Sequence, residues 1–130
     1  MIIRFIIEIM GKPPSIIEKT LRGVVDSFSN RYEVVSTDYS EAEEVKASSL
    51  FSAFVEIEFK VKDFEGLFSA VIDYGPTIIE VIEPSMINVS STELQASLSD
   101  LVSKFHSMSK ALQMLKLENL KLKKEAGTTQ

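Results

Sequence analysis

Phe54-Val55-Glu56-Ile57-Glu58-Phe59-Lys60-Val61-Lys62 alternates apolar and charged residues from Val55 onward. Side chains along a strand point to opposite faces in turn, so Val55, Ile57, Phe59 and Val61 face a core while Glu56, Glu58 and Lys60 face away. No other stretch reads as a strand so cleanly, and the elements on either side are placed from it.

Working outward, Asp63 is positioned to cap a short helix whose apolar face is Phe64, Leu67, Phe68, Val71 and Ile72. Tyr74-Gly75-Pro76 closes that helix, and Thr77 to Glu83 follows as a strand that is apolar on both parities and stops at Pro84. Upstream, Ser40 to Ser52 is acidic and then small and polar, which predicts a long loop or hairpin connection. Before it, Tyr32 to Tyr39 alternates weakly, as an edge strand does. Residues 2–10 place Ile3, Phe5, Ile7 and Ile9 on one parity and predict the first strand. Gly11-Lys12-Pro13-Pro14 is a turn, with the second proline suited to a helix start. Ile17, Leu21, Val24, Val25 and Phe28 then recur at helical spacing opposite Glu18, Lys19, Arg22 and Asp26, and Asn30 is expected to end the helix. Gly23 inside it suggests close packing on the sheet. The order β-α-β-β-α-β, with right-handed crossovers, predicts an α+β, ferredoxin-like sandwich over residues 1–89.

One sheet face would then carry Ile2, Ile6, Ile78 and Ile82 beside Glu56 and Glu58, half apolar and in need of cover. The sequence supplies a candidate. Ser90 with Glu93 three residues on is a capping box, and it opens a long C-terminal helix over 90–125, ahead of a tail at 126–130 expected to be disordered. Apolar residues along the helix alternate in steps of three and four: Leu98, Leu101, Phe105, Met108, Leu112, Leu115, then Asn119 and Leu122. That is the a/d seam of a coiled coil, with Asn119 at an a position, where a polar residue fixes register. Glu118 and Lys123, at g and e, have the spacing of an interhelical pair. Leu94 to Phe105, widened by Val102, is expected to pack on the chain's own domain. Met108 to Leu122 is expected to meet another chain. Met114, Leu117 and Leu120 lie off the seam and argue against a plain two-stranded coil, pointing to a tetramer or a docked partner.

The stretch from Phe54 to Phe105 resembles a known module. An alternating strand, a short amphipathic helix, the strand Gly75-Pro76-Thr77-Ile78-Ile79-Glu80-Val81-Ile82-Glu83-Pro84 and a capped leucine-rich helix follow the pattern of the WCX extension of WYL-domain transcriptional regulators. The resemblance covers residues 54–105, with no WYL or DNA-binding domain ahead of it. It implies a ferredoxin-like fold, oligomerisation and the sensing of a small ligand between subunits.

Composition sets the remaining bounds. Apolar residues make up 45% of the chain and charged residues 25%, and there is no cysteine, which removes disulfides, thiol catalysis and thiolate metal sites. Arg4 and Glu8 interrupt the apolar N-terminus, which reads as a strand and not as a signal peptide, and no run reaches the length of a membrane span. A cytoplasmic protein is expected. Residues 1–102 hold 8 Lys/Arg against 17 Asp/Glu, a balance of −9, whereas residues 103–130 hold 6 lysines against 2 glutamates, or +4. The acidic body argues against broad nucleic-acid binding. His106, the only histidine, falls on the outer side of the helix with nothing to join it as a ligand or base. Glu41, Glu43 and Glu44 read as solvated, and Glu56 with Glu58 make a weak cation site without an oxygen-rich loop. The residues nominate no catalytic group, metal or cofactor. The expected function is that of a non-enzymatic, homo-oligomeric regulatory or scaffolding module. A heteromeric coiled-coil adaptor is the alternative.

Overall fold

Ile3, Phe5, Ile7 and Ile9 line one face of β1 (Ile2–Gly11), and the ladder β1 forms with β4 (Phe51–Lys60) is the longest in the molecule. The structure, a computed structural model, describes residues 1–128. In chain order the elements are β1, α1 (Pro14–Arg31), β2 (Glu33–Tyr39), β3 (Glu43–Glu44), β4, α2 (Phe64–Tyr74), β5 (Ile78–Glu83) and α3 (Ser91–Thr128). The chain divides into two units, Met1–Val89 and Ser90–Gln130.

The first unit is an α+β domain built on a five-stranded antiparallel sheet in the order β2-β4-β1-β5, with β3 pairing β4 beyond the end of β2. Ile3, Phe5 and Ile7 of β1 and Ala53, Val55, Ile57 and Phe59 of β4 are buried on one face. Ile17, Leu21, Val25 and Phe28 of α1, with Leu67 and Ala70 of α2, complete the same core, so both helices lie on that face. Aromatic rings fill its centre. Phe28 is fully buried and meets Phe59 at 4.6 Å and Tyr74 at 4.7 Å between ring centroids, both edge-on, the arrangement ring quadrupoles favour.

Local chemistry sets the element ends. The Asp63 carboxylate accepts from the Gly66 N–H at 2.8 Å and caps α2. At the other end Gly75 adopts φ +53°, the left-handed region that glycine enters at no steric cost, and donates its N–H to the Val71 carbonyl at 3.0 Å. The proline–glycine punctuation read from the sequence thus marks real boundaries on both sides of β5.

Several boundaries differ from the sequence reading. The alternating strand begins at Phe51, three residues early, because its ladder with β1 runs on to Met10 and Gly11, and Glu43–Glu44 then pairs with the same Ser52 and Phe51 on the other side. It ends at Lys60, although Val61 stays buried and exchanges backbone hydrogen bonds with Met1. The long connection is therefore a hairpin, turned through Ala47 at φ 62° and closed by the Val45 N–H on the Leu50 carbonyl. α1 runs past Asn30 to Arg31. Gly23 does not mark close packing: a Cβ built there meets nothing within 4 Å. α3 continues through Ala126 and Gly127 to Thr128, where a disordered tail was expected, and Thr129 and Gln130 lie outside the described residues.

Two substitutions separate these roles. Gly23→Ala should raise stability by about 0.5–1 kcal/mol, since alanine gains helix propensity without a clash. Phe28→Ala should cost about 3–5 kcal/mol by emptying the ring cluster. Urea unfolding midpoints, higher for the first variant and much lower for the second, are the measurement.

Candidate functional site: an exposed helical seam and a charged sheet face

α3 starts where its sequence says it should. The Ser90 hydroxyl accepts from the Glu93 N–H at 3.1 Å, and the Ser90 carbonyl accepts from the Leu94 N–H at 3.0 Å. Leucine, lysine and serine are the commonest residues from there, and no proline or glycine intervenes before Gly127. The result is 38 residues of helix, about 57 Å at 1.5 Å per residue.

The seam lies open along this helix. Leu98 is 47% exposed, Phe105 57%, Met108 66%, Leu115 61% and Leu122 57%, with Leu112 similar and Leu101 half-buried. Glu118, Asn119 and Lys123 are exposed beside it. The off-seam Met114, Leu117 and Leu120 are 64–71% exposed, so between Leu112 and Leu122 the helix is apolar on more than one side. Single exposed leucines are ordinary, but a continuous row is not.

On the domain, the second candidate surface is the sheet face away from α1 and α2. Ile2 and Ile6 are half-buried there, while Ile78 and Ile82 remain 46% and 42% exposed. Between them sits a group that the sequence reading did not assemble. Arg4 stands opposite Glu58 on β4 and opposite Glu80 on β5. Its guanidinium lies 2.8 Å from Glu56, 2.9 Å from Glu58 and 2.8 Å from Glu80. The hydrogen bond to Glu58 raises the Arg4 pKa further, with Coulombic help from Glu80 and Glu56. Three carboxylates share one cation, a formal charge of −2. The signal was available: Arg4 has the parity of Glu8, and cross-strand neighbours on one face pair by charge. The guanidinium therefore stands where Glu56 and Glu58 were weighed as a cation site.

Elsewhere the ionisable groups serve the fold. An open concavity of about 510 Å³ is lined by Arg31, Tyr32, Glu33, Lys60, Lys62 and Asp63, among others. Arg31 donates to Asp73 at 2.8 Å, the bond that chiefly raises its pKa, and lies over the rings of Tyr32 and Tyr74. Burial pushes the Tyr32 hydroxyl pKa up. His106 is exposed on α3. Among the described residues no cluster of His, Cys, Asp or Glu could hold a metal ion, and no helix is long and apolar enough to cross a membrane.

Residues 2–127 match the model of the MJ0538 family, and the chain belongs to that family. No curated protein and no solved structure matches it.

Replacing Arg4 by glutamine leaves Glu56, Glu58 and Glu80 without their counter-ion. Arg4→Gln should lower the urea midpoint at pH 7. The deficit should narrow as salt is raised from about 0.01 M to about 1 M, because screening weakens both the repulsion among the three carboxylates in the variant and their pairing with Arg4 in the parent. A salt-independent deficit would mean that the arginine stem, not its charge, supports the sheet.

Proposed function

We propose that the chain is a non-enzymatic, homo-oligomeric module of the cytoplasm, regulatory or scaffolding in role, whose copies join through the distal half of α3. The observation that carries this reading is the row from Met108 to Leu122, apolar at every a and d position except Asn119 and exposed along its length. Burying one leucine side chain contributes roughly 1.5–3 kcal/mol. Leu112, Leu115 and Leu122 from each copy thus supply enough to hold a dimer against the entropy of association. Asn119 sets the register, because a buried amide finds its partner only when the two copies align. Glu118 and Lys123 of neighbouring helices add about 0.5 kcal/mol in a parallel pair and so select orientation more than affinity.

In this reading the first unit is a ferredoxin-like domain. Discounting the two-residue β3, the strand order β2-β4-β1-β5 and the alternation with α1 and α2 suit the split β-α-β pattern. The resemblance of residues 54–105 to the WCX module makes a small ligand held between subunits the natural regulatory input. A second reading has its own support. Met114, Leu117 and Leu120 would stay bare in a two-stranded coil. They favour a larger assembly or a heteromeric partner helix.

Light scattering on the full chain tests the proposal. The parent should be a stable dimer or tetramer, Leu112→Glu/Leu115→Glu should be monomeric, and Asn119→Ile should raise the melting temperature or the mass. A monomeric parent that gains mass only with a partner helix would establish the adaptor reading. Unchanged mass and melting in all three proteins would show that the seam meets no chain.

A further inference from the structure

Both outer strands carry charge and a register shift, devices by which edges avoid pairing: β2 has Glu33 and Asp38 and slips between Val34 and Ser36, and β5 has Glu80 and Glu83 and slips against β1 between Ile2 and Ile3. They differ in apolar content, since the remaining residues of β5 are all isoleucine or valine. Ile78, Ile79, Val81 and Ile82 are 42–46% exposed on its two faces, and among the described residues β5 pairs only with β1.

Backbone geometry shows which groups face the free side. Met1 and Val61 exchange both backbone hydrogen bonds, at 2.9 and 3.0 Å. In an antiparallel ladder such pairs recur at every second residue, so odd positions of β1 turn to β4 and even positions turn to β5. Arg4 opposes Glu80 and Ile6 opposes Ile78, so Ile78 and Glu80 spend their backbone groups on β1. The N–H and C=O groups of Ile79 and Val81 therefore point to the free edge.

Charge selects the occupant. Glu80 sits between Ile78 and Ile82 in a cluster where Arg4 serves three carboxylates. A second copy of β5, paired about a two-fold with Ile79 against Val81, would set Glu80 against Glu80, and like charges directly opposite are destabilising. A strand with a basic residue at its centre and apolar neighbours fits instead. β1 is such a strand on the other side: Ile2-Ile3-Arg4-Phe5-Ile6, with Arg4 across from Glu80.

We propose that the free edge of β5 is a strand-addition site for an extended segment of another protein, with lysine or arginine opposite Glu80 and β-branched or aromatic residues flanking it. Backbone bonds to Ile79 and Val81 hold the segment, and Glu80 reads its central charge. The site draws on no residue of α3.

A labelled Thr-Ile-Val-Arg-Val-Ile-Thr peptide, titrated into the full chain, tests this. Binding should saturate, and amide exchange at Ile79 and Val81 should slow. A peptide with glutamate at its centre should bind about fivefold more weakly or worse, and Glu80→Lys should reverse that preference. Val81→Pro, which removes an edge donor and spares the bonds to β1, should abolish binding. If either variant fails to fold, amide exchange and the two peptides on the parent chain decide alone. Equal binding of both peptides, no saturable binding, or unchanged exchange at Ile79 and Val81 would overturn the proposal. So would exchange at these amides that already slows with protein concentration in the absence of peptide, since the occupant would then be a second copy.

Discussion

The ladder between β1 and β4 is the constraint on which the rest of the domain depends. It runs without a slip from Ile2 opposite Lys60 to Gly11 opposite Phe51, and Met1 and Val61 extend it by one more pair. A one-residue shift would carry Ile3, Phe5 and Ile7 to the solvent face together. That register brings Phe5 and Phe59 edge to face, with ring centroids 4.8 Å apart. The same register sets Arg4 among the glutamates on the other side. Core and charge cluster are two faces of one alignment.

From this follows an uneven distribution of apolar surface. The domain buries one face of its central strands, yet leaves β5 exposed at every residue and β2 exposed at most. In the second unit the same types of residue lie along a helix that cannot bury them in itself, because a lone helix has no interior for side chains. Solvent-facing isoleucine and leucine rows carry a cost in water that association removes. The two surfaces offer different grammar: α3 presents side chains at 3.5-residue spacing, and β5 presents backbone groups with side chains in alternation.

Sequence was most informative where a single periodicity dominated. Phe54 to Lys60, the helix face of α1 and the Ser90 cap were legible because short-range rules decide them. The α2 face that joins the core is Leu67, Ala70, Val71 and Tyr74, of which the helical spacing picked out only Leu67 and Val71. Non-local pairing was not. The hairpin at Glu43–Glu44 has no apolar pattern of its own and exists because β4 offers an edge at Phe51 and Ser52. Arg4 was read as a break in an apolar run; its three partners lie 52, 54 and 76 residues away, and only the strand order brings them together. Gly23 misled because a helical glycine has two explanations, close approach and indifference, and the space around it decides between them. The seam of α3 was plain in the sequence, since a heptad is a local pattern.

The ring cluster has an optical consequence. The chain has no tryptophan and three tyrosines, so its near-ultraviolet absorption comes mainly from tyrosine. Two of the three, Tyr32 at the end of α1 and Tyr74 at the end of α2, lie 6.5 Å apart and share Phe28 between them, while Arg31 sits over both rings. Near-ultraviolet circular dichroism arises from rings held in fixed, asymmetric surroundings and vanishes when packing loosens. In this protein the tyrosine signal comes from the first unit alone, from this junction and from Tyr39 under Arg22, while α3 holds no tyrosine to contribute to it.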